Sequence, residues 1–327
     1  MRIAITGGHG FLGSHVAEVA LADGHAVTVV ASPWGRLDRL DALQAGRDRL
    51  EVRRADVTDL AALRAAFAGS DAVVHAAARV ADYGRWTDFE TVNVRGTANV
   101  ADAASAVGIE RVVLISSVAV WRYSGIHGDD PRTRPRDRVE PGYGASKRQA
   151  EDALVARAKA PVIVRPALWP YGRRDPVLAR VVDALRRGLV PLLDGGRARV
   201  QTVDARFLSR VVLAAATHPV AAGRSYLAAD EGSIRWAELL ALVAELADAP
   251  AARLRVPGAP VRWIAPLVEA AWTRLPLPGE PPVTRYRASL MHRDVVFDAS
   301  AVREELGVTP DRDRATALAD AIAGIQA

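Results

Sequence analysis

Short apolar segments alternate with helix-like segments through the first half of the chain. Runs such as "RIAIT", "AVTVVA" and "RVVLISS" are almost entirely apolar, which is typical of strands that are covered on both faces of a parallel sheet. Between them, "TDLAALRAAFAG" carries Leu60, Leu63 and Phe67 at helical spacing, with Thr58 as the expected N-cap. The repeated β-α-β order predicts a doubly wound α/β fold with a parallel sheet.

A glycine turn follows the first predicted strand directly. In "TGGHGFLG", Gly7, Gly10 and Gly13 recur every third residue before the first predicted helix. Glycine allows the backbone to turn tightly and to approach a pyrophosphate closely, and the next helix points its first N–H groups at the anion. In this position the pattern predicts a dinucleotide site of the Rossmann type, and Phe11 and Leu12 belong to the same loop.

The end of the second predicted strand bears on the choice of cofactor. A carboxylate there would accept hydrogen bonds from an adenosine ribose and favour NAD, but the strand ends in Ala31 and Ser32. Ser32, Arg36 and Arg39 are instead suited to a 2′-phosphate. We therefore predict NADP as the preferred cofactor and NAD as the alternative. The arginines could also simply coat the next helix.

The alternation weakens after the strand "PVIVRPA", and the 327-residue chain is long enough for a second core. We predict a dinucleotide-binding Rossmann domain over residues 1–172, with return segments around 200–230, and a smaller C-terminal substrate lobe over residues 173–327. Within that lobe, "WIAPLVEAAWTRL" is expected to be a buried helix, and a hydrophobic lid is the alternative.

Composition excludes several classes of function. The chain has no cysteine, so a disulfide framework, a thiolate nucleophile and a cysteine metal site are excluded, and no metal site is predicted. Its formal net charge is +5, but the arginines are spread out and no nucleic-acid module is recognisable. No apolar stretch is long enough to span a membrane, and the N-terminus lacks the apolar core of a signal peptide. We expect a cytoplasmic protein with a small-molecule substrate, and a homodimer is left open.

The stretch "GYGASKRQAED" places Tyr143 and Lys147 one helical turn apart. A tyrosine has a pKa of about 10 and is a poor acid or base at neutral pH. At about 4 Å and an effective dielectric near 20, the lysine ammonium would stabilise the phenolate by roughly 4 kcal/mol, which would lower the tyrosine pKa by up to about three units. Ser117 ends the predicted strand "RVVLISS" at the carboxyl edge of the sheet, where its hydroxyl would hold a substrate carbonyl or alcohol beside Tyr143.

Together these pieces resemble the extended short-chain dehydrogenase/reductases. The similar motifs are "TGGHGFLG", "ADVTD", "VVHAAA", "NVRGTANV", "LISS", "YGASK" and "VRPALWPYG", which occur in the family's order over about the first 230 residues. The resemblance implies that Ser117, Tyr143 and Lys147 are catalytic and that Asn93 supports a proton relay. It also implies cofactor contacts at Lys147 and Tyr143 and at Asp56, Val57, Ala76, Ala77, Pro166 and Ala167.

Three segments are similar to the 3β-hydroxysteroid dehydrogenase branch of that family: "AARVADYGRW", "PPVTRYRASLMHRDVVFD" and "SAVREELGVTP". Nucleotide-sugar enzymes of the family commonly carry an asparagine before "VYGP", and this chain has "RPALWPYGRRD" instead. Trp86, Trp121 and Trp169 each follow a strand end or a motif, so we expect them to converge on an apolar or ring-shaped substrate. Each could instead be a packing residue.

The predicted function is an NAD(P)-dependent oxidoreductase that interconverts a carbonyl and an alcohol on a largely apolar or ring-shaped substrate, with Tyr143 as the general acid or base. One alternative is a nucleotide-sugar epimerase or dehydratase that uses the cofactor catalytically. A non-enzymatic alternative is a dinucleotide-sensing regulator, against which the intact Ser117, Tyr143 and Lys147 argue, because sensing needs no proton donor.

Overall fold

The computed structural model describes residues 1–41, 43, 47–123, 125–135, 139, 142–275, 277 and 281–326. In chain order the strands are β1 (Arg2–Thr6), β2 (Ala26–Ala31), β3 (Leu50–Arg54), β4 (Ala72–His75), β5 (Arg111–Ile115), β6 (Ile126–Asp129), β7 (Ala160–Pro166), β8 (Trp169–Tyr171), β9 (Pro191–Leu193), β10 (Arg199–Val200), β11 (Thr202–Asp204), β12 (Ser225–Ala228), β13 (Ile234–Arg235), β14 (Leu254–Val256) and β15 (Val295–Phe297). The α-helices are α1 (Phe11–Ala22), α2 (Asp38–Asp41), α3 (Leu60–Phe67), α4 (Trp86–Phe89), α5 (Gly96–Ala106), α6 (Tyr143–Val155), α7 (Pro176–Arg186), α8 (Ala205–Thr217), α9 (Trp236–Leu246), α10 (Gly258–Arg274), α11 (Arg285–Leu290), α12 (Ser300–Leu306) and α13 (Arg314–Gln326).

The central sheet has seven parallel strands in the order β12-β7-β5-β4-β1-β2-β3. The chain winds outward from β1 in one direction through β2 and β3, and then from β4 in the other direction. The connections therefore diverge between β1 and β4, which opens a crevice at the carboxyl ends of these two strands. The predicted doubly wound Rossmann fold is confirmed.

Both faces of this sheet are covered, which explains its apolar strands. Ile3 and Ile5 of β1 pack into a core shared with α1 and α8, whereas Ala4 between them packs into a second core with α3, α5 and α6. Successive strand residues point to opposite faces, so a strand between two helical layers must be apolar at every position.

Helix α3 differs from the prediction at its start. Asp59, not Thr58, is the N-cap, and its carboxylate accepts a hydrogen bond from the Ala62 N–H at 2.9 Å. The Thr58 hydroxyl instead donates to Asp56 at 2.7 Å. Asp56 thus draws Thr58 into the preceding turn, because a short carboxylate bonds readily to a group two residues ahead.

The later part of the chain forms a third core cluster from β8, α7, α9 and α13, with smaller sheets beside it. It also returns to the central sheet, since β12 pairs with β7 and α8 packs under the same strands. The division into two domains at residue 172 stays a prediction. No helix in the described ranges is both apolar and long enough to cross a bilayer.

The expectation that "WIAPLVEAAWTRL" forms a buried helix is wrong. This segment lies in α10, in which only Gly258 and Ala265 are buried. Trp263 is 79% exposed and Leu267 is 73% exposed. The apolar composition of the segment misled the prediction, because α10 packs on α11 and turns these side chains to solvent.

Candidate functional site

The glycine turn between β1 and α1 is packed too closely to accept side chains. A Cβ atom on Gly13 would lie 2.3 Å from the Gly7 carbonyl oxygen, and one on Gly7 would lie 2.7 Å from the Ala77 Cα atom. The turn therefore lies directly against the carboxyl end of β4, where Ala76 and Ala77 were predicted to line the cofactor. Whether these two residues contact it stays a prediction.

Gly10 is the N-cap of α1 and brings no capping side chain to it. The first N–H groups of a helix have no partner within the helix, so those of Phe11, Leu12 and Gly13 are left to bind another acceptor. Such a terminus also carries partial positive charge. The turn and the helix start therefore fit the pyrophosphate of a dinucleotide.

The turn after β2 is held by an arginine that the sequence reasoning missed. Arg54, the last residue of β3, donates from Nη1 to the carbonyl oxygens of Ser32 and Gly35, each at 2.7 Å. The sequence feature that pointed to this contact was a basic residue at the end of β3, the strand that pairs with β2. Arg36 is exposed and pairs with Asp38 at 3.3 Å, and the buried Nε of Arg39 has no hydrogen-bond partner in the described structure.

Asp56 and Val57 form the turn between β3 and α3. The Asp56 carboxylate accepts from the Thr58 N–H at 2.8 Å, and the Val57 carbonyl accepts from Asn99 at 3.0 Å. On the other side of the crevice Pro166 ends β7, and the Ala167 N–H donates to Ala228 at 2.8 Å. These contacts fix the four predicted positions, and their cofactor contacts stay predictions.

Ser117 and Tyr143 come together at the carboxyl edge of the sheet. The Ser117 hydroxyl caps a short 3-10 helix, Val118–Val120, and accepts from the Ala119 N–H at 3.1 Å. A Cβ atom on Gly144 would lie 2.3 Å from the Ala119 carbonyl oxygen, so glycine is needed for α6 to start against this 3-10 helix. This close packing brings the Tyr143 hydroxyl into a hydrogen bond with Ser117.

The pKa of Tyr143 is raised, mainly by burial and further by the neighbouring Tyr286, while the hydrogen bond with Ser117 opposes the shift. The predicted lowering by Lys147 is not found. Lys147 is itself buried, and its Nζ donates to the Ile115 carbonyl at 2.7 Å. Desolvation of the tyrosine hydroxyl is instead the largest effect on its pKa. Burial lowers the pKa of Lys147 to about 8, against the opposing charge of Glu151.

Glu151 lies one turn after Lys147 in α6 and is completely buried. Its carboxylate accepts from Nε and Nη2 of Arg165, both at 2.8 Å, and from the Ser116 hydroxyl at 2.6 Å. The Arg165 guanidinium lies 4.7 Å from the centre of the Trp121 ring. The sequence reasoning missed this pair, although an acid four residues after Lys147 was a visible signal.

Asn93 lies in a π-helical segment, Glu90–Arg95, just before α5. Its amide accepts from the Arg79 N–H at 2.7 Å and donates to the Ser146 hydroxyl at 2.8 Å. Ser146 in turn donates to the Tyr143 carbonyl at 2.7 Å. Asn93 thus ties the loop after β4 to the first turn of α6. Its proposed part in a proton relay stays a prediction.

His75 ends β4 and joins Asn93 to the glycine turn. Its ring nitrogens bond the hydroxyls of Thr6 at 2.7 Å and Thr97 at 3.0 Å, and Thr97 donates to the Asn93 carbonyl at 2.5 Å. Burial, followed by the charge of Lys147, lowers the pKa of His75 to about 3. A neutral imidazole therefore spans β1, β4 and α5 at neutral pH.

A cavity of about 840 Å³ opens beside Tyr143. The described residues that line it are Asp82, Ala119, Trp121, Arg122, Tyr123, Val139, Gly142, Tyr143, Gly144, Arg262, Glu269, Arg285, Tyr286, Ser289, His292 and Arg293. Its wall thus contains both aromatic side chains and charged side chains, and most of the charged ones are cationic.

The three tryptophans expected to converge on this cavity do not do so. Trp121 lines it, although the ring is only 3% exposed and packs on Phe297. Trp169 is 7% exposed and stacks on Trp236 in the third core cluster, with ring centres 5.9 Å apart. Trp86 begins α4 and is not among the described lining residues. Strand β8 turns Trp169 away because it pairs with β11 rather than continuing the central sheet.

A comparison with models of protein families shows to which family the chain belongs. Residues 3–229 match the model of the "NAD dependent epimerase/dehydratase family". The chain belongs to this family. Members use NAD as cofactor, and this chain is an oxidoreductase of the extended short-chain dehydrogenase/reductase type, similar to the 3β-hydroxysteroid dehydrogenase branch.

Two relatives and one solved structure illustrate what this family member is similar to. The 2-alkyl-3-oxoalkanoate reductase of Stenotrophomonas maltophilia is 29% identical over 323 residues, which cover 95% of each chain. The 3β-hydroxysteroid dehydrogenase/Δ5→4-isomerase of Mycobacterium tuberculosis is 29% identical over 94% of this chain and 86% of that one. UDP-glucose 4-epimerase of Thermotoga maritima shares the fold, with a TM-score of 0.76 and 19% identity over 100% of this chain and 99% of that one.

Proposed function

We propose that the chain is a reductase that converts a ketone to an alcohol, with Tyr143 as the proton donor. The observation that carries the proposal is the side chain of Tyr143, which lines the 840 Å³ cavity and interacts with Ser117 at the carboxyl edge of the sheet. When bound, the nicotinamide cofactor supplies the hydride. Both relatives described above are named for substrates that carry an oxo or hydroxy group.

The protonation state of Tyr143 fits a role as proton donor. Because burial raises its pKa, Tyr143 is protonated at neutral pH, which is the form that a carbonyl oxygen needs as its donor. Ser117 orients the carbonyl oxygen and stabilises the phenolate that remains after proton transfer. Lys147, which is buried one helical turn after Tyr143, adds positive charge near the phenolate and returns a proton from its ammonium.

Turnover of the Tyr143→Phe variant tests this proposal, with Tyr123→Phe as the matched control. Tyr123 is buried and lines the same cavity, and its hydroxyl lies 3.4 Å from that of Tyr286. With a 2-alkyl-3-oxoalkanoate as substrate, consumption of reduced cofactor at 340 nm should fall by about 100-fold or more for Tyr143→Phe. The Tyr123→Phe variant should stay within a few-fold of the native rate. Equal losses in both variants would contradict the role of Tyr143.

The same assay separates net reduction from the nucleotide-sugar alternative. An epimerase or dehydratase uses its cofactor catalytically, so absorbance at 340 nm would show no steady change while a UDP-sugar is converted. Net consumption of reduced cofactor in proportion to ketone supports the reductase, and its absence with every ketone would support the alternative.

NADP is the cofactor form that we propose for this chain. No carboxylate stands at the end of β2, where Ala31 and Ser32 occur. Arg39 has a buried nitrogen without a partner in the described structure, and the ion pair of Arg36 with Asp38 is exposed and therefore weak. Both arginines can therefore turn toward a 2′-phosphate at little cost.

Titration of NADPH and NADH against the variants tests this preference. The double variant Arg36→Gln/Arg39→Gln should weaken NADPH binding by at least about tenfold and leave NADH binding nearly unchanged. Arg64→Gln, on the exposed side of α3, is the control. Tighter binding of NADH than of NADPH by the native protein would overturn the assignment.

A further inference from the structure

The described part of the cavity wall beside Tyr143 carries more basic than acidic side chains. Among its described lining residues there are four arginines, against one aspartate and one glutamate. An entirely apolar ligand would leave these charges without a partner, and burying unpaired charges costs free energy. The composition of the wall therefore points to a substrate with an anionic group.

The two acids in the lining are already engaged. Glu269 of α10 accepts from Arg285 Nη2 at 3.0 Å and from the Arg285 backbone N–H at 3.1 Å. Asp82 accepts from the Thr284 hydroxyl at 3.1 Å and pairs with Arg287. These carboxylates consequently do not neutralise the remaining arginines of the cavity.

Arg122 and Arg262 are the arginines of this wall that have no acidic partner among the described residues. Neither makes an ion pair or a side-chain hydrogen bond with the described residues, and both are exposed and line the cavity. Arg122 follows Trp121 on the segment that begins at Ser117, whereas Arg262 comes from the first turns of α10. Two guanidinium groups thus face one cavity from separate elements, and guanidinium groups bind carboxylates through paired N–H donors.

We infer that the substrate of this site is a keto acid, whose carboxylate is bound by Arg122 and Arg262 while its ketone reaches Tyr143. The aromatic side chains of Trp121 and Tyr286 line the same cavity and accommodate the alkyl chains of such an acid. The inference deepens the proposed function and rests on it for the fate of the ketone. Binding of the carboxylate itself does not depend on turnover.

Discrimination between an acid and its neutral analogue tests the inference. With the native enzyme, kcat/KM for a 2-alkyl-3-oxoalkanoate should exceed that for the matched primary amide by about tenfold or more, since charged hydrogen bonds are stronger than neutral ones. The variants Arg122→Gln and Arg262→Gln should each lower this ratio, and the double variant should bring it close to one. Arg274→Gln, at the exposed end of the same helix, should leave it unchanged.

Direct binding separates the two proposals. Octanoate should bind the native enzyme more tightly than octanamide in calorimetric titration, and the double variant should lose the difference. If octanoate binds in this way but no ketone is reduced, the reductase proposal fails and the anion site stands. If acid and amide are reduced equally well and Tyr143→Phe is inactive, the reductase stands and the keto-acid inference is overturned. It is likewise overturned if uridine diphosphate binds more tightly than octanoate and depends on the same arginines.

Discussion

The Glu151–Arg165 ion pair couples stability to the chemistry of the site. Replacing Glu151 with glutamine keeps the shape of the side chain but removes the charge that faces the buried Arg165. The amide cannot accept all the hydrogen bonds that Arg165 and Ser116 now donate. Breaking a buried pair by removing one partner typically costs about 3–5 kcal/mol. We expect a loss of this size in the free energy of unfolding.

The same substitution should act on Lys147. Burial lowers the pKa of Lys147 to about 8, and the charge of Glu151 opposes that shift. Without this charge the pKa falls further, so the ammonium is lost at a lower pH. The pH dependence of kcat/KM should therefore shift toward lower pH in Glu151→Gln, which a purely structural role of the pair would not produce.

Urea unfolding of the native protein and of Glu151→Gln measures the loss in the free energy of unfolding. The matched control is Glu110→Gln, which breaks an exposed pair with Lys159 and should cost less than about 1 kcal/mol. The double variant Glu151→Leu/Arg165→Met should lose less stability than the two single variants combined, because no buried charge is left unpaired. A cost for Glu151→Gln no larger than that for Glu110→Gln would refute the reasoning.

Three further predictions concern the crevice and the lobe. Gly13→Ala would place its Cβ atom 2.3 Å from the Gly7 carbonyl oxygen, so cofactor binding measured by fluorescence should be lost. His75 is neutral when folded, with a pKa of about 3. The neutral imidazole contributes its full stabilisation above pH 6.5. The free energy of unfolding of the native protein should therefore decrease by about 2–3 kcal/mol between pH 6.5 and 4.5. Urea unfolding of His75→Gln should not show this decrease. Trp169→Ala should lose about 3–5 kcal/mol by thermal unfolding and keep its ketone kinetics, because Trp169 packs on Trp236 in the core.

The parts of the fold that follow from local patterns were predictable from the sequence. Alternating apolar strands and helices predicted the central sheet, and the glycine pattern predicted the tight turn between β1 and α1, because both depend on residues that are close along the chain. The meeting of Ser117 and Tyr143 also followed, since each lies at a carboxyl edge that the sheet brings together.

Long-range packing explains what the sequence did not reveal. Trp169 is turned away from the cavity by pairing of β8 with β11 and by Trp236, which is distant in the chain. The raised pKa of Tyr143 depends on burial under Tyr286 from α11. The charge of the cavity likewise depends on which arginines of α10 and α11 find an acidic partner, and periodicity carries no information about that.

Because the later chain returns to the central sheet, cutting the protein at residue 172 would leave that sheet incomplete. Strand β12 completes the sheet beside β7 only after the chain has passed through β8, α7 and the small strands, and α8 covers one face on the way. A fragment that stops at residue 172 would keep the glycine turn, Tyr143 and Lys147, yet leave β7 as a bare edge strand with an uncovered apolar face. Exposed edges of this kind pair with other chains. The first 172 residues are thus not a severable unit, and exchanging the later segments between relatives requires several crossover points, because residues 295–306 also pack into the core of the central sheet.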